Sequence, residues 1–161
     1  MNLPVPYAGF ATAPVGAGWL VYESFMFNRI WWRSALHGNG NDSLRLPRII
    51  LDLNRARPIH LAVIDGIMAA EGGKVPRGTF KPVQPGVLVA GNNPVATDAV
   101  ATAVMSFDPT VNPPTPPFLR DANYLNIATE LGMGTNRLEQ IKVMGARIDE
   151  VRYKFNPAWK N

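Results

Sequence analysis

The chain has 161 residues, of which 47% are hydrophobic and 17% charged, and a net charge of +4. This composition is typical of a single globular domain and excludes an intrinsically disordered chain. Cysteine is absent, which excludes disulfides, thiol catalysis and iron–sulfur ligation by cysteine. The tightest basic group contains no aromatic residue and so gives no indication of nucleic-acid binding; it comprises Arg45, Arg48, Arg55 and Arg57.

The first 35 residues form an irregular apolar segment rich in proline and glycine. A bilayer-spanning helix needs about 20 continuous apolar residues, and these breakers interrupt every such run. We therefore expect no transmembrane segment and a cytoplasmic protein. The aromatic residues between positions 19 and 36 are expected to pack on the domain or to face a second subunit in a homo-oligomer.

Residues 36–161 are predicted to form an α/β domain. The apolar pattern predicts helices over residues 43–54, 94–106 and 121–131, and strands over 59–64, 87–90 and 141–144. Proline and glycine mark residues 72–85 and 109–117 as loops. Because strands and helices alternate along the chain, we expect a mostly parallel sheet covered by helices.

Acidic side chains follow the first two predicted strands. Asp65 ends the first strand, Glu71 precedes a Gly-Gly pair, and Asp98 lies early in the helix after the second strand. In a parallel α/β sheet, ligands bind beyond the carboxyl ends of the strands. We therefore predict that these three carboxylates converge as catalytic groups and as ligands of Mg²⁺, Ca²⁺ or Mn²⁺. Such a cluster would need a cation, Arg77 or Lys74 in its midst to offset repulsion.

A structural role stays open for each carboxylate. An aspartate before glycine, such as Asp65, commonly accepts hydrogen bonds from the backbone of the following turn. The Gly-Gly pair after Glu71 is equally compatible with a plain connector. A buried Asp98 would need a partner such as Arg77, a metal ion or backbone amides, since an unpaired buried charge is costly.

Three further residues are candidates for the same site. His37 precedes a Gly-Asn-Gly-Asn stretch and is a second candidate for a catalytic base or ligand. Asn92 and Asn93 join a predicted strand to a helix N-terminus, where free N–H groups suit a phosphate or carboxylate. We predict these asparagines to be cofactor-binding; the sequence names no cofactor beyond the divalent metal.

The order of these motifs resembles a known family. Residues 64–73 read Ile-Asp-Gly-Ile-Met-Ala-Ala-Glu-Gly-Gly, and residues 91–101 read Gly-Asn-Asn-Pro-Val-Ala-Thr-Asp-Ala-Val-Ala. Ala-Thr-Glu-Leu-Gly-Met-Gly and Ile-Lys-Val-Met-Gly follow at 128–134 and 141–145. This combination is similar to the family called domain of unknown function 362, over about residues 36–145.

The chain departs from that family in two ways. Members usually carry an N-terminal half with a Lys-Asn segment before Leu-His-Gly, whereas here only 35 residues precede Leu36-His37-Gly38 and Phe27-Asn28 replaces Lys-Asn. Many relatives also have ferredoxin-like cysteine clusters, which this chain lacks. The resemblance therefore implies the C-terminal half of the domain, without an iron–sulfur cluster, and names no reaction.

Two functional hypotheses follow from the sequence. The first is a ligand- or divalent-metal-binding domain with an acidic site, for which catalysis stays open. The alternative is a non-catalytic half-domain that completes its sheet with a partner chain or a second subunit. Convergence of the carboxylates would favour the first, and an open sheet edge with an exposed apolar patch would favour the second.

Overall fold

The computed structural model describes residues 44–72, 80–119 and 121–156. In chain order the elements of this part are α1 (Arg45–Ala56), β1 (Ala62–Gly66), β2 (Ala69–Gly72), β3 (Phe80–Val83), β4 (Val87–Gly91), α2 (Pro94–Val104), α3 (Tyr124–Glu130), a 3-10 turn (Leu138–Gln140) and α4 (Ile148–Val151). The predicted segment 1–35 lies outside the described residues.

The three predicted helices are confirmed, with α1 shifted by two residues towards the C-terminus and with α2 and α3 shorter than predicted. In α1, Ile50 and Leu51 are fully buried, whereas Leu53 is exposed. Pro94 opens α2 at a position where a missing N–H costs no intrahelical hydrogen bond. Asn123 caps α3 by accepting a hydrogen bond from the N–H of Leu125.

The predicted parallel sheet is wrong. Strands β1 and β4 pair antiparallel, with Ala62 opposite Gly91 and Asp65 opposite Leu88. Strands β2 and β3 form a second antiparallel pair, and each sheet of the described part has two strands. The error has a clear cause. A parallel crossover usually needs a helix between the strands, but the chain between β1 and β4 forms the β2–β3 hairpin.

The third predicted strand, residues 141–144, is also wrong. These residues follow the 3-10 turn and adopt no strand. Val143 and Met144 are 40% and 81% exposed, so this apolar run does not pack into a sheet. The sequence pattern of a short apolar run closed by glycine does not distinguish a buried strand from an exposed irregular segment.

Helix α2 is the central element of the described part. It packs on β1 and β4 on one side and contacts α3, α4 and the 3-10 turn on others. The main hydrophobic cluster joins α1, α2 and α3 through residues that are each at most 1% exposed: Ile50, Leu51, Val95, Ala99, Leu125 and Ala128. Helix α2 therefore contacts most of the other elements of this part of the chain.

A network of asparagine side chains holds the proline-rich loop against α3. Asn123 donates from Nδ2 to the carbonyls of Pro109 and Val111, at 2.8 and 2.9 Å. Asn136 donates to Pro109 and to Asn126 Oδ1. Asn123 and Asn136 are 1% and 3% exposed, so these bonds satisfy polar groups that water does not reach. The loop prediction for residues 109–117 is confirmed.

Residues 152–156 form a C-terminal strap across the end of α2. The backbone N–H of Tyr153 donates to Val104 O at 2.8 Å, and Ser106 Oγ donates to Tyr153 O at 3.2 Å. The ring of Phe155 is 9% exposed and meets the ring of Tyr153 edge to face. The strap thus extends from the end of α2 to the β2–β3 hairpin, where Asn156 contacts Glu71. Among the described helices, none has the length and apolar character needed to cross a membrane.

Candidate functional site

Asp98 is the most buried carboxylate of the described residues, at 3% exposed. It lies in the second turn of α2, between the buried residues Thr97 and Ala99. Tyr124, the first residue of α3, donates its hydroxyl to Asp98 Oδ2 at 3.2 Å. Within the described part of the chain, Asp98 Oδ1 is buried and has no hydrogen-bond partner. One carboxylate oxygen of Asp98 is therefore buried without a hydrogen bond in this part of the chain.

The environment of Asp98 changes its acidity. Burial raises the pKa of Asp98 from 3.8 to about 7, and the hydrogen bond from Tyr124 opposes this rise. Burial also raises the pKa of the Tyr124 hydroxyl, and the charge of Asp98 adds to that effect. Asp98 is consequently divided between its charged and neutral forms near neutral pH, while Tyr124 keeps its proton.

This arrangement can accept or release a proton at neutral pH. A carboxyl group with a pKa near the working pH is well suited to general acid–base catalysis. Strongly perturbed carboxylates with a specific hydrogen-bond partner are candidates for functional sites, although structural networks perturb acidity as well.

Asn93 fixes the N-terminus of α2. Its Oδ1 accepts from the N–H of Ala96 at 2.9 Å, and its Nδ2 donates to Met133 O at 2.8 Å. Both ends of the side-chain amide are thus used in structural hydrogen bonds. Asn92 is exposed. The prediction that these two asparagines bind a cofactor stays a prediction.

Two glycines allow close packing around this helix start. A Cβ atom on Gly134 would clash with the side-chain amide of Asn93, and one on Gly91 would clash with Thr97 Oγ1. The hydroxyl of Thr97 in turn donates to Asn93 O at 2.8 Å. The strand–helix junction and the loop after α3 are therefore held together at close range, which positions α3 and Tyr124 relative to α2.

Asp65 is exposed and lies towards the end of the β1–β4 pair that is opposite to the start of α2. Its Oδ1 accepts from the N–H of Ile67 at 2.9 Å, which is the turn-stabilising role left open for an aspartate before glycine. The register places Gly91, and hence the start of α2, beside Ala62. Asp65 lies three residue steps along β1 from Ala62, a length of about 10 Å in a strand.

Glu71 binds the C-terminal strap. Its two carboxylate oxygens accept from the backbone N–H and the side-chain Nδ2 of Asn156, at 2.9 and 2.8 Å. The pKa of Glu71 is lowered, mainly by the hydrogen bond from the Asn156 backbone and further by its side chain and by Lys81. The sequence predicted Glu71 to be a ligand or catalytic residue. In the structure, its hydrogen bonds to Asn156 join β2 to the last of the described residues.

Among the described residues, no three histidine, cysteine or acidic side chains are grouped in a way that could hold a metal ion. His37, Lys74 and Arg77 lie outside the described residues, so their predicted roles at the site remain predictions. The assignment of Asp65, Glu71 and Asp98 as ligands or catalytic groups likewise stays a prediction, with Asp98 alone having an unsatisfied buried oxygen.

Sequence reasoning did not identify Tyr124. It anticipated that a buried Asp98 would need a partner and named Arg77, a metal or backbone amides. A tyrosine within a predicted helix carries no signal of its own, because nothing in its spacing relates it to a residue 26 positions earlier. The contact between α2 and α3 is what brings the two side chains together.

The comparisons with known proteins bear on the family. No curated protein and no solved structure gives a significant match to the chain. Residues 26–103 match the family described as domain of unknown function (DUF362). This range contains the β1–β4 pair, the β2–β3 hairpin, Asn93 and Asp98, and with them the motifs at 64–73 and 91–101. The motifs at 128–134 and 141–145, which also contributed to the resemblance, lie outside the matched range. Over residues 26–103 the chain is thus similar to the DUF362 family, which agrees with the resemblance seen in the sequence.

Proposed function

We propose that the chain is a ligand-binding domain in which Asp98 and Tyr124 form an acid–base pair. The observation that supports the proposal best is the buried Oδ1 of Asp98, which has no partner among the described residues while Oδ2 accepts from Tyr124. A buried polar atom without a partner costs free energy. A ligand that donates a hydrogen bond to Oδ1 would remove that cost.

The properties of the pair define the chemistry it would perform. Asp98, with a pKa of about 7, would take a proton from a bound donor or return one to it. Tyr124 is half-buried and keeps its proton. Its hydroxyl would orient the Asp98 carboxylate and stabilise the negative charge that develops on Oδ2 when Asp98 loses its proton. The substrate would be a small molecule with an N–H or O–H group at the reacting position.

In a second form of the same proposal, Asp98 binds a divalent metal ion. The unpaired oxygen of Asp98 is a suitable ligand atom for Mg²⁺, Ca²⁺ or Mn²⁺. Because the described residues contain no cluster of three metal-binding side chains, the metal would need further ligands from the substrate, water or residues outside that part. We therefore give the acid–base form precedence.

The proposal is tested by following Asp98 directly. In the full chain with ¹³C-labelled aspartate carboxyls, we expect one carboxyl to titrate near neutral pH and to disappear in Asp98→Asn. Methylammonium, a small donor, and MgCl₂ or MnCl₂ serve as probes. Either one, if it binds Oδ1, should lower this pKa, because donors and cations favour the charged carboxylate.

Two controls make the outcome decisive. Asp52→Asn removes an exposed carboxylate of α1 and should leave every probe effect intact. Divalent ions should raise the melting temperature of the wild type and not of Asp98→Asn if the metal form holds. An ordinary aspartate pKa for Asp98, or probe effects that survive Asp98→Asn, would refute the proposal.

The half-domain alternative has one observation in its favour. Each sheet in the described part has two strands, so each strand has an outer edge without a partner there. Unpaired edges are sites where another strand can add. Light scattering of the full chain over a range of concentrations tests this alternative, which predicts association with a second copy or with a separately supplied partner chain.

A further inference from the structure

Residues 147–156, at the end of the described part of the chain, form a unit that we call the C-terminal arm. It consists of α4, the residue before it and the strap. The backbone N–H of Arg147 donates to Glu150 Oε2 at 3.0 Å, and Arg152 forms a salt bridge with Asp149 at 2.7 Å. These contacts lie within the arm, so they would be kept if the arm moved as one unit.

The strap is bound to the rest of the protein as an extended segment. Its side chains alternate, with Arg152 and Lys154 exposed, Tyr153 partly buried and Phe155 9% exposed. The backbone N–H groups of Tyr153 and Phe155 donate to carbonyls at the end of α2, at 2.8 and 3.4 Å. Main-chain hydrogen bonds combined with alternate buried side chains are the usual way in which a protein binds an extended peptide.

The surface that receives the strap, which we call the seat, has four residues: Val104, Met105, Ser106 and Glu71. Ser106 has a φ of +67°, a left-handed conformation that is uncommon for residues other than glycine, and its Oγ donates to Tyr153 O at 3.2 Å. Both carboxylate oxygens of Glu71 accept from Asn156. These bonds depend on the sequence of the strap alone, so the strap of a second copy of the chain can make them equally well.

The arm is joined to the rest of the protein by residues 142–146, which we call the hinge. Every hinge residue is exposed, and none makes a hydrogen bond within the part of the chain that the structure describes. Gly145 has a φ of +90°, and no atom lies within 4 Å of the position that a Cβ would occupy there. The hinge can therefore straighten without losing a hydrogen bond, and five extended residues span about 17 Å.

We propose that two copies of this chain exchange their C-terminal arms, so that the strap of each copy binds the seat of the other. Each contact between arm and seat is the same in the exchanged dimer as in the single chain. The hinge alone changes, from a bent form with a positive φ at Gly145 to an extended form. Exchange of an identical element between copies costs little free energy for this reason.

Replacing Gly145 tests the role of the hinge. In the full-length protein, Gly145→Val meets no neighbouring atom but disfavours the positive φ of the bent hinge. Since each exchanged dimer relieves two such hinges, we expect the dimerisation constant to rise at least about tenfold over that of the wild type. Sedimentation equilibrium over a series of protein concentrations measures this constant.

Gly86→Val is the matched control for the hinge variant. Gly86 also has a positive φ, of +72°, and also has open space around its missing Cβ. It lies between β3 and β4, so its replacement introduces the same kind of backbone strain outside the hinge and should not promote dimerisation. Equal dimerisation of the two variants, or a Gly145→Val protein that is strictly monomeric, would overturn the proposal.

A disulfide trap tests exchange with the natural hinge, and it remains informative if Gly145→Val fails to fold. Because the chain has no cysteine, Glu71→Cys and Asn156→Cys can be placed on separate chains, which are then mixed and oxidised. The contacts of Val104 and Ser106 with the strap are retained in both. Neither chain can form an intramolecular disulfide, so exchange should link the two different chains faster than it links identical ones.

The control for the trap is Asn156→Cys mixed with Glu139→Cys, an exposed position outside the arm and the seat, which gives the rate of random encounter. Linkage of Glu71→Cys to Asn156→Cys at only this rate would overturn the proposal, because the strap would then stay on its own seat. If the wild type nevertheless dimerised, its association would lie elsewhere, such as at the strand edges. None of these outcomes depends on Asp98, so failure here is distinguishable from failure of the acid–base proposal.

Discussion

At the scale of single residues, the environment of Asp98 determines its chemistry more than its position in the sequence does. The carboxylate lies on a helix whose other buried residues include Val95, Ala99 and Val100. Burial therefore opposes its ionisation, and the hydroxyl of Tyr124 is the group that partly offsets this effect. The balance between these two influences can be measured.

Replacing Tyr124 with phenylalanine should raise the pKa of Asp98 above its value of about 7. The variant removes the hydroxyl that donates to Oδ2 and stabilises the charged carboxylate. Titration by carboxyl ¹³C chemical shifts measures the change. Tyr153→Phe is the matched control, since Tyr153 lies on the C-terminal strap and should not affect Asp98. A fall in the Asp98 pKa in Tyr124→Phe would contradict the described hydrogen bond.

Gly134 and Asn93 should be energetically coupled. Gly134→Ala introduces a Cβ that clashes with the Asn93 amide, and overpacking of this kind costs about 1–3 kcal/mol. Asn93→Ala removes the cap of α2 and the bond to Met133, at a cost of about 1–2 kcal/mol. In the double variant the clash is absent, so the two costs should not add. Urea unfolding of the four proteins tests this, and strict additivity would be the contrary result.

At the scale of elements, Glu71 connects two parts of the chain that are distant in sequence. It belongs to β2, and its bonds to Asn156 span 85 residues. The strap also binds the last turn of α2 through Val104 and Ser106. Glu71 therefore stabilises the position of the strap, and through it the C-terminal end of the helix that contains Asp98.

Glu71→Gln should loosen the strap without unfolding the domain. Glutamine retains one acceptor oxygen and replaces the other by a donor, so one of the two bonds to Asn156 is lost. We expect the Asn156 and Tyr153 amides to exchange with deuterium roughly tenfold faster. Glu139→Gln, at an exposed position, is the control. Unchanged exchange in Glu71→Gln would mean that the strap is held mainly by Phe155.

At the scale of the whole molecule, Asp98 should make the protein less stable as pH rises to neutrality. The pKa of Asp98 is raised on folding, from 3.8 to about 7. The stability that the neutral Asp98 carboxyl contributes is therefore fully present below the unfolded pKa of 3.8. It is lost as pH rises from that value to the folded pKa of about 7. This difference corresponds to a loss on the order of 4 kcal/mol. Glu71, whose pKa is lowered, acts oppositely and loses its contribution only as pH falls through its folded value.

The free energy of unfolding of the wild type should consequently fall as pH rises from about pH 4 to about pH 7. Asp98→Asn removes the titrating group, so its stability should vary much less over this range, whatever its absolute stability. Urea unfolding at fixed ionic strength provides the measurement, and Asp52→Asn should retain the wild-type slope. A wild-type slope that persists in Asp98→Asn would assign the effect to another group.

The sequence alone determined the three helices α1, α2 and α3 and indicated the family that part of the chain matches. The spacing of apolar residues located three helices, and Asn93-Pro94 marked the start of α2, because capping and the proline preference act within a few residues. The motifs at 64–73 and 91–101 indicated the family that residues 26–103 match. The sequence also indicated that a buried Asp98 would need a partner.

Only the tertiary structure decided the pairing of the strands and the surroundings of the carboxylates. An antiparallel and a parallel arrangement of β1 and β4 have the same apolar pattern, and the choice depends on the intervening β2–β3 hairpin. That choice places Asp65 and the start of α2 at opposite ends of one sheet. Likewise, Tyr124 reaches Asp98, and Asn156 reaches Glu71, through contacts between distant segments. Burial and hydrogen bonding depend on such contacts, which local sequence patterns do not contain.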